Sequence, residues 1–318
     1  MPCHAARARQ LLRQSKAVKR FDRGICYLVL TERAEGATQS VALGIDPGSK
    51  KEAFTLQSKH HTFLNLQADA VSWVKQHIQT RRNMRRVRRY RKTPCRANRQ
   101  NRARGGMPPS SRARWGWKVR IVRWLARYYP IASIVIEDLA AVTKPGQRRW
   151  NEAFSPLAVG KAWCYTELET VAPVLTVAGH HTRALRNQAG LNKSHNKLSD
   201  AWDAHCVDSF VLASYAVGGS CKPEQTNIVY LAPLRFHRRQ LHRLQPEKGG
   251  MRKPYGGTIS LGLKRGSWVR HPRWGVVYVG GTLNGRISLH DMRTGKRVTQ
   301  NARVSDCEVL CTASWRTR

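Results

Sequence analysis

The sequence predicts an α/β fold with a basic helical insertion and a small C-terminal β-barrel. Three observations carry that prediction. Apolar strand-like runs alternate with helix-like segments from residue 24 to residue 217. A stretch without any acidic residue, dense in arginine, interrupts them between Asp69 and Glu137. From Ser267 onward the pattern becomes short strands punctuated by Trp274-Gly275, Asn284-Gly285 and Thr294-Gly295, the spacing of a small barrel.

Residues 5–19 read as a helix with Ala6, Leu11, Leu12 and Val18 as its apolar residues. Two strand-like runs follow, 24–31 and 40–45, with a polar turn between them. The second closes on Gly44-Ile45-Asp46-Pro47-Gly48-Ser49. Phe54 and Leu56, then residues 62–66, continue the same sheet, and 69–79 starts a helix. Next come Arg81, Arg82, Arg85, Arg86, Arg88, Arg89, Arg91, Lys92, Arg96, Arg99, Arg102 and Arg104. The first half of that run is expected to be helical, with arginine on nearly every face. Pro94 disturbs it, and Gly105-Gly106-Met107-Pro108-Pro109 ends it. Helical propensity returns over 117–129, and 131–136 is a strongly apolar strand running into Glu137-Asp138. Residues 144–155 read as a loop, 156–171 as a helix, 174–177 as a strand, 183–198 as a basic polar loop and 200–217 as a helix. Residues 246–257, rich in Gly, Pro and Lys, read as a linker.

The net charge is +38 over 318 residues. A compact chain this basic repels itself until a polyanion neutralises it. Nucleic acid does so through phosphate contacts and counterion release. The length suggests two domains, and 41% hydrophobic content suffices for a core. No apolar run approaches the roughly 20 residues of a spanning helix, and the run 25–30 lacks the features of a signal peptide. No membrane partner is expected. The 8 cysteines stand singly, without a CxxC pair, which argues against a zinc module and fits a reducing cytoplasm.

Carboxylates are scarce, so those at the ends of apolar strands stand out. Asp46 closes one strand and Glu137 another. Asp208 follows His205 by three residues on a predicted helix, which puts the two on one face about 5–6 Å apart at Cβ. Three carboxylates and a histidine from separate elements suit two-metal phosphodiester hydrolysis. Hard oxygen ligands suit Mg²⁺, and two ions about 3.5–4 Å apart stabilise attacking and leaving oxygens. A histidine titrating near neutrality can take a proton from water. The bland alternatives are a turn-forming Asp46 and a surface pair for His205 and Asp208. Asp138 competes with Glu137, and Asp200 or Asp203 with Asp208.

Five stretches resemble the split RuvC-type nuclease of the IscB/IsrB family, transposon-encoded RNA-guided relatives of the type II CRISPR effectors. Met1-Pro2-Cys3-His4-Ala5-Ala6-Arg7-Ala8-Arg9 resembles the end of the PLMP motif and its helix. Gly44-Ile45-Asp46-Pro47-Gly48-Ser49-Lys50, Ile134-Val135-Ile136-Glu137-Asp138-Leu139 and Ala204-His205-Cys206-Val207-Asp208-Ser209 resemble the three RuvC motifs. Arg81-Arg82-Asn83-Met84-Arg85-Arg86 resembles the bridge helix. The resemblance implies an RNase H-like (RuvC) core split in three. Asp46, Glu137 and Asp208 would be metal ligands for two Mg²⁺, with Mn²⁺ as a substitute, and His205 the general base.

The interval from Asp138 to Ala204 is too short for the HNH nuclease of IscB, so the chain is similar to IsrB, the HNH-lacking branch. That implies nicking of the non-target DNA strand under a structured guide (omega) RNA, by a monomeric ribonucleoprotein in a prokaryotic, nucleoid-associated cytoplasm. The sequence opens inside the PLMP motif, so the first strand of that element is expected to be missing.

The implied parts are 1–39, a truncated PLMP-like segment; 40–78, 117–145 and 146–228, the three RuvC parts; 79–116, the bridge-helix region; and 229–318, the barrel domain. In the arginine region Trp115, Trp117, Trp124, Tyr128 and Tyr129 are candidates to stack on bases or arginine, and the guanidinium groups to bind phosphates in pairs. By analogy the barrel, with Arg252, Lys253, Lys264, Arg265 and Arg270, would read the target-adjacent motif, and Arg235, His237, Arg238, Arg239, His242 and Arg243 would bind phosphates. Two rival readings are a resolvase-type nuclease without guide RNA and a non-catalytic RNA-binding accessory.

Overall fold

The computed structural model describes residues 3–34, 36–90, 107–140, 156–219, 222–235, 244–245, 250–251 and 257–318. The chain forms two compact units, one of Ala37–Ile228 and one of Cys3–Gly36 with Val229–Arg318.

The first unit is mixed α/β. Its strands are β3 (Val41–Asp46), β4 (Lys51–Gln57), β5 (Thr62–Asp69), β6 (Ile131–Asp138) and β7 (Val174–Ala178). They run in the order β5-β4-β3-β6-β7. β3 pairs antiparallel with β4, and β4 with β5, whereas β3–β6 and β6–β7 are parallel. β3 and β4 are buried along their whole length, as strands covered on both faces must be. The turn between them needs Gly48, because a Cβ there would lie 1.8 Å from the Lys51 carbonyl oxygen.

The helices are α2 (Trp73–Tyr90), α3 (Pro109–Leu125), α4 (Pro156–Glu169), α5 (Gly179–Gln188) and α6 (Trp202–Val217). α6 lies on one face of the sheet. It packs so close to β3 that a Cβ on Gly44 would come within 1.9 Å of the Ser209 carbonyl oxygen. α3 takes the opposite face, where Trp117 Nε1 donates to the Asp69 carbonyl at 3.1 Å and Lys118 Nζ to Glu52 Oε1 at 2.7 Å. α4 meets α3 at Gly160, whose missing Cβ leaves room for Trp115. Among the described residues no helix is long and apolar enough to cross a membrane.

The second unit holds α1 (Ala5–Arg13) and the hairpin β1 (Ala17–Asp22) with β2 (Ile25–Leu30). The expected helix 5–19 therefore ends six residues early. Ala17-Val18-Lys19-Arg20-Phe21 carries β-branched and aromatic side chains that pair across to β2, and Arg23 and Gly24 turn with φ 49° and 91°. Gly24 packs against the Trp268 ring, and Arg23 Nε donates to the Thr312 carbonyl at 2.9 Å, so the N-terminal segment is held within this unit.

β8 (Ile228–Pro233) pairs with β18 (Trp315–Thr317). Two short pairs follow β8 in the chain, β9 (Leu244–Gln245) with β10 (Gly250–Met251) and β11 (Ile259–Ser260) with β12 (Leu263–Lys264). The remaining strands are β13 (Ser267–His271), β14 (Gly275–Leu283), β15 (Arg286–Asp291), β16 (Arg297–Ala302) and β17 (Glu308–Thr312). They form an antiparallel sheet in the order β16-β15-β14-β13-β17 over a core of Val269, Val277, Val279, Ile287 and Leu289. The expected barrel is thus a five-stranded ladder, and its end strands do not pair with each other among the described residues. Asn284-Gly285, both at positive φ, makes the β14–β15 turn as its residue types require.

Candidate active site

Asp46 ends β3 and Glu137 is the penultimate residue of its parallel neighbour β6, with Ile45 opposite Ile136. Side chains alternate along a strand, so Gly44 and Asp46 face α6 together. Val135 packs with Leu212 of α6, so Glu137 shares that face. Asp138 faces the other way, where Tyr165 Oη and Lys161 Nζ, both of α4, each reach its Oδ1 at 2.8 Å. The alternation puts Glu137, and not Asp138, on the face of Asp46.

The close approach at Gly44 fixes what stands opposite. Asp208 precedes Ser209, and it is 3% exposed. Arg186 Nη1 donates to Asp208 Oδ1 at 2.5 Å, and Lys193 Nζ donates to Asp208 Oδ2 and, at 3.3 Å, to Asp46 Oδ2. Asp200 instead pairs with Lys51, and Asp203 lies exposed in the first turn of α6.

The three acids act on one another. Burial pushes the Asp46 carboxyl above its ordinary range, and the negative charge of Asp208 adds to the rise while Lys193 opposes it. Glu137 is pushed up to about 7, first by burial and then by Asp46 and Asp208, against Lys193 and a hydrogen bond from Thr182. His205 is buried and lowered, chiefly by desolvation, with Lys193 and Lys51 adding to the fall against the Lys197 carbonyl and Asp208. Its Nε2 lies 3.1 Å from the Lys197 carbonyl oxygen. A carbonyl only accepts, so Nε2 carries the proton and Nδ1 the lone pair.

Whether these residues suit a divalent cation can be judged from the charges present. The carboxylates repel one another, and Asp46 and Asp208 already share one cationic group. That donor set fits a hard cation. Among the described residues no three His, Cys, Asp or Glu side chains close on a single point; the Lys193 ammonium bonds to both Asp46 and Asp208.

Nothing in the sequence singles out Arg186 and Lys193, where 183–198 reads as a basic loop. Residues 179–188 are instead helical. Only Thr182 of α5 is buried, so α5 has no apolar stripe to announce it. Gly179 leaves room for Glu137, since a Cβ there would sit 3.2 Å from Glu137 Oε1.

The basic residues divide into three groups. Arg81, Arg82, Arg85, Arg86 and Arg89 are exposed on α2, and Arg88 belongs to the same helix. Arg91, Lys92, Arg96, Arg99, Arg102 and Arg104 lie outside the described residues, as do His237, Arg238, Arg239, His242, Arg243, Arg252 and Lys253. In the second unit Lys264 and Arg235 are exposed, Arg265 donates to Ser260 Oγ at 3.1 Å and Arg270 pairs with Glu308 at 2.7 Å. Of the stacking role expected of the tryptophans, the contact with arginine is present, the Arg120 guanidinium lying 5.2 Å from the Trp117 ring centroid, whereas the rings are not open to bases. Trp115, Trp117 and Trp124 are buried, because α3 turns its aromatic face into the core.

The arrangement defines a mixed α/β protein in which two acids at strand ends, Asp46 and Glu137, interact with Asp208 of the helix that covers them. Residues 1–148 match the family model described as "RRXRR protein". No curated protein matches the chain. Among solved structures the chain is similar to T. thermophilus RuvC in complex with a Holliday junction substrate, at 12% identity and a TM-score of 0.32, over 58% of this chain and 99% of that one.

Proposed function

We propose that the chain is an RNA-guided DNA endonuclease of the RuvC type, an IsrB-like nickase of the non-target strand acting as a monomeric ribonucleoprotein. One observation supports the reading: the buried Asp46 and Asp208 share the Lys193 ammonium, and the half-buried Glu137, raised by both of their charges, lies on the same face of the sheet, with His205 on the same helix as Asp208. These three acids would hold two Mg²⁺, or Mn²⁺. Bound, such ions supply charge stabilisation at the attacking and leaving oxygens.

The rest falls to the chain's own side chains. Arg186 holds Asp208 by one oxygen. His205, kept neutral by burial, has its Nδ1 lone pair for the proton of the attacking water. The exposed arginines of α2, with those up to Arg104, would grip the phosphates of guide RNA and heteroduplex, leaving sequence to base pairing. The match over residues 1–148 spans Asp46, Glu137 and the arginine run together, which supports a single functional assembly. Motif reading by the second unit, through residues such as Lys264, Arg265 and Arg270, belongs to the same proposal.

The test is direct. Purified from its host, the protein should carry one structured RNA encoded beside its gene and nick DNA that the RNA matches. Asp46→Ala should bring nicking to background in a gel assay while RNA and target binding persist. Nicking by that variant would put the chemistry elsewhere. Cleavage of branched DNA with no bound RNA would replace guidance by structure recognition, and RNA binding without cleavage would leave an accessory protein.

A further inference from the structure

Lys193 touches two of the three acids, yet neither phosphate binding nor proton transfer calls for it. Its single Nζ donates to one oxygen of Asp46 and one of Asp208. That is the point from which one cation bridges both carboxylates. The remaining Asp208 oxygen belongs to Arg186. The two cations are mounted differently. Arg186 sits on α5 with its side chain 15% exposed, whereas Lys193 sits in the non-helical stretch between α5 and α6 and is 32% exposed. That stretch is pinned on either side of Lys193, by Leu191 N donating to the Arg186 carbonyl at 3.1 Å and Ser194 N to the Asp203 carbonyl at 3.0 Å. Its lysine stem can swing without moving the backbone.

We infer that Lys193 is a resident counter-ion, holding the bridging position between Asp46 and Asp208 until a divalent cation displaces it, while Arg186 stays on Asp208 throughout. This rests on the proposed reading of the acids as a metal site. Two buried carboxylates facing each other need a positive charge between them, since desolvation leaves their repulsion little screened. A lysine suits the task because its ammonium is a compact point charge on a flexible four-carbon stem. Arginine with its planar fork suits the permanent contact. The consequence is exchange of one cation for another, so the metal-free site stays ordered and the metal binds against a competitor.

Mn²⁺ titration of the full-length chain by calorimetry, free of nucleic acid, tests this. Lys193→Met should bind Mn²⁺ about tenfold more tightly than the parent chain, a change of about 1.4 kcal/mol, the scale of one hydrogen bond to a charged group. Without metal the variant should melt below the parent, and saturating Mn²⁺ should narrow the gap. Equal or weaker binding by Lys193→Met overturns the inference. A measurement on the parent chain covers a variant that does not fold: acylation of lysine amines, read by mass spectrometry, should rise at Lys193 as Mn²⁺ is added, and labelling unchanged at saturation also overturns it. If parent and Asp46→Ala titrate alike with Mn²⁺, the metal-site reading itself fails, and this inference with it.

Discussion

α6 and α2 carry the groups that chemistry and nucleic-acid binding would need, and they are built in opposite ways. From Ala204 to Ser214 every residue of α6 is buried, Asp208 and His205 included. From Arg81 to Tyr90 every residue of α2 with a described side chain is exposed, down to Tyr90 at 89%. The first helix is positioned by packing, so its few polar groups inherit the precision of a core. The second is half-buried only in its first turns, and its arginine end lies open to solvent. Mutation should therefore act through structure on α6 and through ligand binding on α2.

The strongest way to break that contrast is at the contact under α6. Gly44→Ala drives a methyl group into the α6 backbone. It should cost about 3 kcal/mol or more of stability in urea unfolding and carry Asp208 away from Asp46. A fully stable Gly44→Ala would mean that α6 is not held by packing there.

A buried cation on α3 sharpens the contrast in between. Lys118 is 3% exposed, paired with Glu52 and 4.6 Å from the Trp115 ring centroid. Lys118→Met strands a buried carboxylate and should lose about 3–5 kcal/mol, most of which the double variant with Glu52→Leu should restore, both measured by the same unfolding.

Smallest in stability is the change on α2. Replacing Arg82, Arg85, Arg86 and Arg89 with Ala should shift unfolding by no more than about 0.5 kcal/mol, yet flatten the log-log salt dependence of RNA binding by a slope of about 3. An unchanged slope would make those arginines a solvated surface.

What could be read in the sequence follows from range. β3, β6 and α6 announce themselves because each is apolar along its own length, so Asp46 and Glu137 sit where strong local patterns end and Asp208 stands out within one. That Asp46 and Glu137 share a face follows from strand alternation, whereas Asp208 joins them through the packing of α6 on β3. α5 and β1 differ from the expected loop and helix because neither has a clean stripe of buried side chains. Lys193 and Arg186 escape because a cation meets its acid across the fold, 147 residues away for Lys193 and Asp46. The tryptophans of α3 mislead for another reason: aromatic side chains beside arginines suit a core or a base stack equally, and only packing decides between them.

β7 passes into α5 without a linker, Ala178 closing the strand and Gly179 opening the helix. The rotational phase of α5 is thereby inherited from the sheet. Residues three or four apart share a helix face, and the face that starts at Gly179 continues through Thr182 to Arg186. Gly179 and Thr182 meet Glu137, and Arg186 meets Asp208. Two acids on different elements are thus gauged against one ruler. A single residue inserted into α5 would rotate everything beyond it by about 100° and part Arg186 from its acid, whereas an insertion of two whole turns would restore the direction and miss the length.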